Sequence, residues 1–382
     1  MSQVQVTQVN IPPGMIDLGV GQPGPGLLPL DVMREATARR IAEPDPLGWL
    51  AYGAEQGNGH FRAALARFLT DGYGLPVSAD DLFVTGGASQ GLDLVCSLFT
   101  RPGDTILVEE PTYFLALRIF ADHGLTTASV PMDRDGIVVD ALAEKLAEHR
   151  PALLYTIPAF HNPTSVTLAE SRREQLVELA LRHEVPIVAD EVYQLLGYTS
   201  SPPRPLAAWA GTDAVLSLGS FSKILAPGLR LGWIQTGPRW IDRLVRSGLL
   251  DSGGGLNPFT SAMVQSALEL GLADQHRSAL RRAYLARSAA LGAALREHLG
   301  DTVAFDPPGG GFFLWLRLPD GIDARELLPI AREHGVAFQP GPAFSRSGGS
   351  RCHARLSFAY YDREDLEAGA IRLARALERL RA

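Results

Sequence analysis

Lys223 is one of only two lysines in the chain, and its position favours chemistry at its amine. The 382 residues include 35 lysines and arginines, and of these only Lys145 and Lys223 are lysine. So strong a preference for arginine indicates that a remaining lysine supplies an amine that a guanidinium cannot replace. Lys145 has another explanation, because it lies on the solvated face of the amphipathic segment VDALAEKLAEHR. Lys223 has no such explanation.

The residues around Lys223 suit a bound anion. Ser220, Ser222 and Arg230 accompany it in the segment SLGSFSKILAPGLRLGW. Two hydroxyls and a guanidinium are good hydrogen-bond donors to a phosphate dianion. An amine that is partly desolvated and close to positive charge loses its proton more easily than a free lysine. The segment therefore predicts a phosphate site next to a reactive lysine.

Five further polar residues follow other predicted strands. Ser89 and Gln90 begin a predicted helix after DLFVTGG, where free backbone N–H groups favour a phosphate. Asn162 lies in the turn HNPTS after the strand LLYTIP. Asp190 ends the apolar strand PIVAD, and Tyr193 follows three residues later. Because an isolated carboxylate is costly to bury, Asp190 should have a cationic partner.

Together these groups match the needs of one cofactor. Side chains after separate strands can converge, because ligands of a doubly wound sheet bind at the carboxyl ends of its strands. A pyridoxal phosphate enzyme needs a lysine, an acid that keeps the pyridine nitrogen protonated, partners for the ring oxygen and an anion site. We therefore predict pyridoxal 5'-phosphate as the cofactor and expect no metal site.

The chain resembles the fold-type I pyridoxal phosphate-dependent aminotransferases of class I/II, and within them the kynurenine/α-aminoadipate aminotransferase branch. The resemblance covers nearly the whole chain. It rests on short motifs in the family's order and spacing, which are Tyr52-Gly53, GGASQG, EPTY (110–113), HNPTS (161–165), DEVY (190–193), SFSKILAPGLRLGW (220–233) and ARLSF (354–358). It implies an α/β fold with a mostly parallel, seven-stranded sheet in a large domain and a smaller α+β domain.

The resemblance implies catalytic and ring-binding roles for five residues. Lys223 would be the Schiff-base lysine and the proton shuttle. Asp190 would contact the pyridine nitrogen, and Tyr113 would stack on the face of the ring. The ring oxygen would contact Asn162 and Tyr193.

The resemblance also implies a phosphate site and a substrate site. The phosphate would be held by Ser89, Gln90, Ser220, Ser222 and Arg230. Tyr52 would reach the site from the second subunit of a homodimer with shared active sites. Arg355 would receive the α-carboxylate of the substrate, a role that suits its bidentate geometry, with Asn162 and Gly21 beside it.

The implied reaction is transamination between an L-amino acid and a 2-oxo acid, with glutamate and 2-oxoglutarate as one expected pair. Related families on the same scaffold catalyse β-elimination and other reactions, so a fold-type I lyase is the alternative. Domains that resemble this branch also form ligand-sensing halves of transcription regulators. That function needs a DNA-binding module, and only 15 residues precede the segment IDLGVGQPGPG, so we expect an enzyme.

Two short motifs match the patterns of other functions, but each lacks a feature that the function needs. GASQG (87–91) fits the G-x-S-x-G pattern of an α/β-hydrolase with Ser89 as nucleophile, but no His-Gly-Gly type segment lies upstream of it. Gly19, Gly21 and Gly24 fit a dinucleotide-binding pattern, but Pro23 and Pro25 prevent a helix from starting there. We therefore interpret the glycine-rich segment as a loop.

The pattern of apolar runs predicts the elements that would position these residues. Strands alternate with helices from about residue 80, and the seven predicted strands are 81–85, 105–110, 126–130, 153–158, 186–191, 215–220 and 231–236. The last follows a short loop, which favours an antiparallel pairing. A helix near 240–250 and helical periodicity over 260–299 lead to the strands GFFLWLRLP, VAFQPG and ARLSFAYY and a terminal helix. We predict a large domain over 46–284 and a small domain from 1–45 and 285–382.

Composition excludes several other classes of protein. The formal net charge of −7 and the scattered arginine pairs disfavour nucleic acid as a partner. No apolar stretch approaches the ~18 residues of a membrane span, and MSQVQVTQVN lacks the features of a signal peptide, so we expect a cytoplasmic protein. Cys96 and Cys352 are too few for a disulfide framework.

Overall fold

The computed structural model describes residues 7–44, 47–199 and 203–381. Its strands, numbered along the chain, are β1 (Ile16–Asp17), β2 (Leu82–Thr85), β3 (Thr105–Glu110), β4 (Thr126–Asp133), β5 (Gly136–Ile137), β6 (Leu153–Thr156), β7 (Ile187–Asp190), β8 (Val215–Ser220), β9 (Gly232–Gln235), β10 (Phe313–Arg317), β11 (Val336–Ala337), β12 (Gln339–Pro340) and β13 (His353–Ser357).

The largest sheet has the strand order β2-β9-β8-β7-β6-β3-β4-β5. Strands β8, β7, β6, β3 and β4 are parallel, whereas β9 is antiparallel to both β8 and β2. The predicted antiparallel strand is therefore confirmed. All seven predicted strands are present, but the sheet has eight, because the two-residue β5 pairs with the end of β4. So short a strand has no period-2 pattern that a sequence could display.

Apolar residues cover both faces of this sheet, which explains the unbroken apolar runs of its central strands. Tyr155 and Val188 pack on one face with residues of the helices that follow β2 and β3. Leu154 and Ile187, their neighbours along the chain, pack on the opposite face. Because successive side chains of a strand alternate between faces, each strand contributes to two layers of core.

The helices are α1 (Leu30–Ile41), α2 (Leu47–Leu50), α3 (Gly59–Tyr73), α4 (Ala88–Phe99), α5 (Phe114–Asp122), α6 (Val139–His149), α7 (Glu170–His183), α8 (Pro238–Val245), α9 (Gly248–Gly253), α10 (Pro258–Glu269), α11 (Leu272–Leu299), α12 (Ala324–Glu333) and α13 (Arg363–Arg381). Among the described residues, no helix combines the length and the apolar character that a bilayer crossing requires.

One helical prediction needs correction, and a second is confirmed with a break. The helix expected near 240–250 is two helices, α8 and α9, because Ser247 between them is extended (φ −77°, ψ 141°). The helical periodicity expected over 260–299 is confirmed, and it is divided between the two helices α10 and α11. Gly271, between α10 and α11, has a φ of +69°, in the left-handed region that a glycine adopts without a steric penalty.

The C-terminal part contains a second, antiparallel sheet with the order β10-β13-β12. VAFQPG, predicted as one strand, forms the two short strands β11 and β12. Strand β1 near the start of the chain pairs in parallel with β11, through Ile16 opposite Val336. The predicted division into 46–284 and 1–45 with 285–382 stays a prediction. Its first boundary, at residues 45 and 46, lies outside the described residues.

Candidate active site

One cavity lies at the carboxyl ends of the parallel strands. Its volume of about 360 Å³ falls within the range of about 300–1,000 Å³ that is usual for small-molecule sites. Eleven of the thirteen predicted site residues line it, namely Gly21, Ser89, Tyr113, Asn162, Asp190, Tyr193, Ser220, Ser222, Lys223, Arg230 and Arg355. The topology thus brings together residues that are up to 334 positions apart, from Gly21 to Arg355.

The other two predicted residues do not line the cavity. The side chain of Gln90 folds back onto the turn that precedes α4. There its Oε1 accepts a hydrogen bond of 2.9 Å from the backbone N–H of Gly86. Tyr52 lies just after α2 with 87% of its surface exposed. Within a single chain, Tyr52 therefore does not contribute to the site.

Lys223 lies three residues after β8, with its amine inside the cavity. Its Nζ donates a hydrogen bond of 2.7 Å to the carbonyl oxygen of Gly21 and lies 5.4 Å from the centre of the Phe312 ring. Burial lowers the pKa of Lys223 to about 8, and the positive charge of Arg355 acts in the same direction. A far larger fraction of this amine is neutral near pH 8 than of an ordinary lysine, so it can act as a nucleophile or a base.

Asp190 is the last residue of β7 and its two carboxylate oxygens have different surroundings. Oδ2 accepts a hydrogen bond of 2.7 Å from the hydroxyl of Tyr155. Oδ1 is buried and has no hydrogen-bond partner among the described residues. Burial raises the pKa of Asp190, against the hydrogen bond from Tyr155, the nearby backbone N–H of Val192 and the charge of Lys223, which lower it. A cationic N–H in the cavity would satisfy Oδ1, and a protonated pyridine nitrogen is such a group.

The N-terminus of α4 forms one wall of a candidate phosphate site. Gly87 precedes the helix with a φ of +97°, and no side chain caps the first turn. The free N–H groups of such a turn favour an anion. A side chain on Gly87 would have its Cβ 3.1 Å from Nη2 of Arg230, so the glycine allows the guanidinium to approach.

The opposite wall of the phosphate site comes from the segment after β8. Ser220 Oγ donates a hydrogen bond of 3.0 Å to Ser222 Oγ, and Arg230 Nη2 donates one of 3.0 Å to the carbonyl of Gly86. Hydroxyls, a guanidinium and an uncapped helix N-terminus therefore surround one small volume. These residues fit the phosphate of pyridoxal 5'-phosphate, as Asp190 fits its ring nitrogen.

Arg355 is a buried cation, only 3% exposed. Among the described residues it forms no ion pair within 4.0 Å. Its Nη1 donates to Asn162 Oδ1 at 2.9 Å and its Nη2 to the carbonyl of Gly19 at 2.7 Å. Burial lowers its pKa to about 10. Because an unpaired buried charge is costly, the cavity should receive an anion beside Arg355.

Aromatic side chains complete the cavity. Tyr113 precedes α5, and burial raises its pKa to about 12. Tyr193 packs edge-on against Phe312 and Phe313, with ring centroids 5.3 and 5.9 Å apart. The guanidinium of Arg355 lies 4.0 Å from the centre of the Phe313 ring. These rings keep water away from the polar groups and hold Arg355 in place.

Sequence reasoning did not identify the backbone acceptors or Tyr155. The carbonyls of Gly19 and Gly21 bind Arg355 and Lys223, but a carbonyl has no sequence signature. Tyr155 does have one, since it is the only polar aromatic residue in the apolar strand LLYTIP. A hydroxyl inside a buried strand usually has a hydrogen-bond partner.

Comparison with known proteins agrees with this geometry. The family model described as aminotransferase class I and II matches residues 13–373. The aromatic-amino-acid aminotransferase 1 of Thermococcus litoralis is 37% identical over 370 residues, which cover 95% of this chain and 88% of that protein. The 2-aminoadipate transaminase of Thermus thermophilus is 34% identical, over 97% of this chain and 92% of its own length.

Solved structures and regulators are also among the similar proteins. A kynurenine aminotransferase from Pyrococcus horikoshii superimposes with a TM-score of 0.89 at 34% identity, over 96% of this chain and 91% of that one. An uncharacterised HTH-type transcriptional regulator of Bacillus subtilis is 31% identical and matches 99% of this chain, but only 77% of its own length. The predicted resemblance is thus confirmed. The chain belongs to the class I and II aminotransferase family and is a pyridoxal phosphate-dependent transaminase.

Proposed function

We propose that Lys223 is the residue of this transaminase that bonds covalently to the cofactor and then carries the substrate's proton. The observation that carries the proposal is one cavity that holds an amine of lowered pKa together with Asp190, a buried carboxylate whose Oδ1 has no hydrogen-bond partner among the described residues. When bound, pyridoxal phosphate supplies a protonated ring that withdraws electrons from the substrate's Cα. Once the amino group of the substrate has replaced Lys223 on the cofactor, the freed and neutral Nζ would accept the proton from Cα.

The remaining residues bind and orient in this proposal. Asp190 pairs with the ring nitrogen and keeps it protonated, and Asn162 with Tyr193 contacts the ring oxygen. Tyr113 covers one face of the ring. The phosphate is held by Ser89, Ser220, Ser222, Arg230 and the N-terminus of α4. Gln90 contributes indirectly, because its side chain holds the backbone N–H of Gly86.

Arg355 binds the α-carboxylate of the substrate. Its buried guanidinium has no acidic partner among the described residues, and its Nε has no hydrogen-bond partner there. Each terminal nitrogen uses one N–H group on Asn162 or Gly19, so further N–H groups of this planar cation remain for a carboxylate. Gly21 lies beside it, since a Cβ on Gly21 would stand 3.1 Å from the Phe313 ring and 3.9 Å from Arg355 Nη2. The glycine therefore leaves room for the substrate between the ring and the N-terminal segment.

The donor amino acid has a neutral side chain in this proposal. Among the described residues, the cations that line the cavity are Lys223, Arg230 and Arg355, and each already has a role. Apart from Asp190, the three serines and Asp17, whose carboxylate accepts a hydrogen bond from the backbone N–H of Gly19, the rest of the lining is aromatic, aliphatic or amide, including Phe313, Gln22, Gln339 and Leu115. An aromatic donor, as named for the Thermococcus litoralis relative, suits that lining. For the second carboxylate of glutamate or 2-oxoglutarate, no further cation lines the cavity in the part of the chain that the structure describes.

The first test follows single amino acids reacting with the cofactor-loaded protein without any oxo acid. We expect phenylalanine and tyrosine to remove the visible absorption of the lysine-linked cofactor and to release the matching 2-oxo acid, faster than glutamate or aspartate. Release of ammonia instead would identify a lyase. Arg355→Lys is the matched variant, and it should raise the amino acid concentration for half-maximal conversion about tenfold or more, because one charge-assisted hydrogen bond is lost.

Two copies of the chain form the working enzyme in this proposal, with Tyr52 of each reaching the phosphate of the other. Exposed apolar residues on and near α2, α9 and α10 support an interface there: Leu50, Tyr52, Leu249 and Phe259 are 65%, 87%, 54% and 48% exposed. Sedimentation should give twice the chain mass of 41.1 kDa. Leu50→Asp should shift the protein toward monomer, whereas Leu181→Asp, at a 48% exposed position on α7, should not. A monomeric wild type would contradict the shared site.

A further inference from the structure

Tyr155 is a buried tyrosine whose hydroxyl contacts the acid of the site. Its side chain is 0% exposed, and the hydroxyl donates to Asp190 Oδ2 at 2.7 Å. The strand register explains this contact. Tyr155 of β6 lies opposite Val188 of β7, and Asp190 is two residues further along β7. Since alternate residues of a strand share a face, the sheet itself directs the phenol and the carboxylate to the same side.

The contact restricts how the Asp190 carboxylate can turn. Oδ2 is held by Tyr155, so Oδ1 is the oxygen that remains without a partner among the described residues. Asp190 lines the cavity, whereas Tyr155 does not. Tyr155 can therefore reach a bound ring only through Asp190.

The hydroxyl of Tyr155 acts only as a donor toward this carboxylate. Burial, together with the negative charge of Asp190, raises the pKa of Tyr155 well above its ordinary value, so the phenol keeps its proton. The ring is held edge-on against Phe120, with centroids 5.5 Å apart. A fixed donor of this kind stabilises the ionised form of a carboxylate.

We propose that Tyr155 is a positioning residue that orients the carboxylate of Asp190 and keeps it ionised opposite the ring nitrogen of the cofactor. This inference rests on the proposed role of Asp190. No bond forms or breaks at Tyr155, whose hydroxyl stays a hydrogen-bond donor throughout. Without that hydrogen bond, Asp190 holds a proton more readily itself, and the ring nitrogen holds its proton less.

The test is Tyr155→Phe in the holoenzyme, loaded with pyridoxal 5'-phosphate labelled with ¹⁵N in the ring. We expect the ¹⁵N signal in solid-state spectra to move from the position of a protonated pyridine toward that of an unprotonated one. We also expect kcat to fall about tenfold, which corresponds to a change of about one unit in the pKa of the ring nitrogen. KM for the amino acid should change little. The matched control is Tyr284→Phe, because Tyr284 is also buried but its hydroxyl has no hydrogen-bond partner among the described residues. The control should leave the ¹⁵N signal in place.

A merely structural role for Tyr155 gives a different result. The unfolding temperature would fall in Tyr155→Phe, while the ¹⁵N signal and kcat stayed at their wild-type values, and that outcome overturns the proposal. Asp190→Asn, measured alongside, separates the two claims. If Asp190→Asn shifts the ¹⁵N signal and Tyr155→Phe does not, the positioning role of Tyr155 is wrong, whereas the contact of Asp190 with the ring nitrogen stands. If Asp190→Asn leaves the signal unchanged, the proposed contact of Asp190 with the ring nitrogen is wrong, and the role of Tyr155 falls with it.

Discussion

Lys223→Ala should lower the rate of transamination by at least the ~10²–10⁴-fold that a positioned acid–base group contributes. The variant loses the amine that accepts the proton from the substrate's Cα, and it also loses the covalent bond to the cofactor. The phosphate and ring-nitrogen contacts remain, so the cofactor should still bind, without a covalent link. Borohydride reduction followed by peptide mass spectrometry tests this directly, since reduction makes the lysine link permanent.

The composition of the chain provides the control for this experiment. Lys145 is the only other lysine, and its Nζ lies 2.6 Å from Glu148 Oε2 on the surface of α6. Apart from the N-terminal amine, the reduced wild type should therefore carry its label on the Lys223 peptide alone, and Lys145→Ala should keep full activity. A label on the Lys145 peptide, or turnover by Lys223→Ala at a rate close to that of the wild type, would remove Lys223 from the proposed mechanism.

Asp190→Asn should lower turnover by about 10²–10³-fold, the range for loss of one preorganised electrostatic partner of a reacting group. The substitution keeps the size of the side chain and leaves an oxygen that can accept the hydrogen bond from Tyr155. It removes the negative charge that keeps the ring nitrogen protonated, so the ring withdraws electrons less strongly. Single-turnover kinetics with an excess of amino acid should show the loss in the chemical step, with the cofactor still linked to Lys223.

Glu191 is the matched control for Asp190, because it is the next residue and also buried. Its carboxylate accepts hydrogen bonds from the backbone N–H groups of Leu206 and Ala207 and from Ser217, and it does not line the cavity. Glu191→Gln should therefore lower the midpoint of thermal unfolding while turnover of the folded protein is retained. Equal losses of turnover in the two variants would mean that Asp190 acts only on stability.

Much of the sheet could be predicted because its strands are buried on both faces. Runs such as LLYT and IVAD are buried at every position and are therefore mostly apolar, so their length and flanking turns are visible in the sequence. Strand β5 has two residues, and its pairing with β4 depends on a turn rather than on a run of apolar residues. The break between α8 and α9 has a similar origin, in the local backbone of Ser247.

The candidate site was predictable where chemistry demands a particular side chain. A lysine in a chain that otherwise uses arginine, and an acid at the end of an apolar strand, are both unusual for physical reasons. Three contacts were not predicted: that of Tyr155 with Asp190, that of the Gly19 carbonyl with Arg355, and that of the Gln90 side chain with the backbone of Gly86. In each case the residue type does not specify the partner.

The sequence by itself therefore determined the layered α/β architecture and the set of groups able to bind pyridoxal phosphate. Burial restricts residue types along each strand, and catalysis restricts them at each strand end. Only the tertiary structure decided which oxygen of Asp190 is bound by Tyr155 and which carbonyls hold Lys223 and Arg355. These are properties of distance and register between strands and loops that are far apart in the chain, and a linear pattern does not contain them.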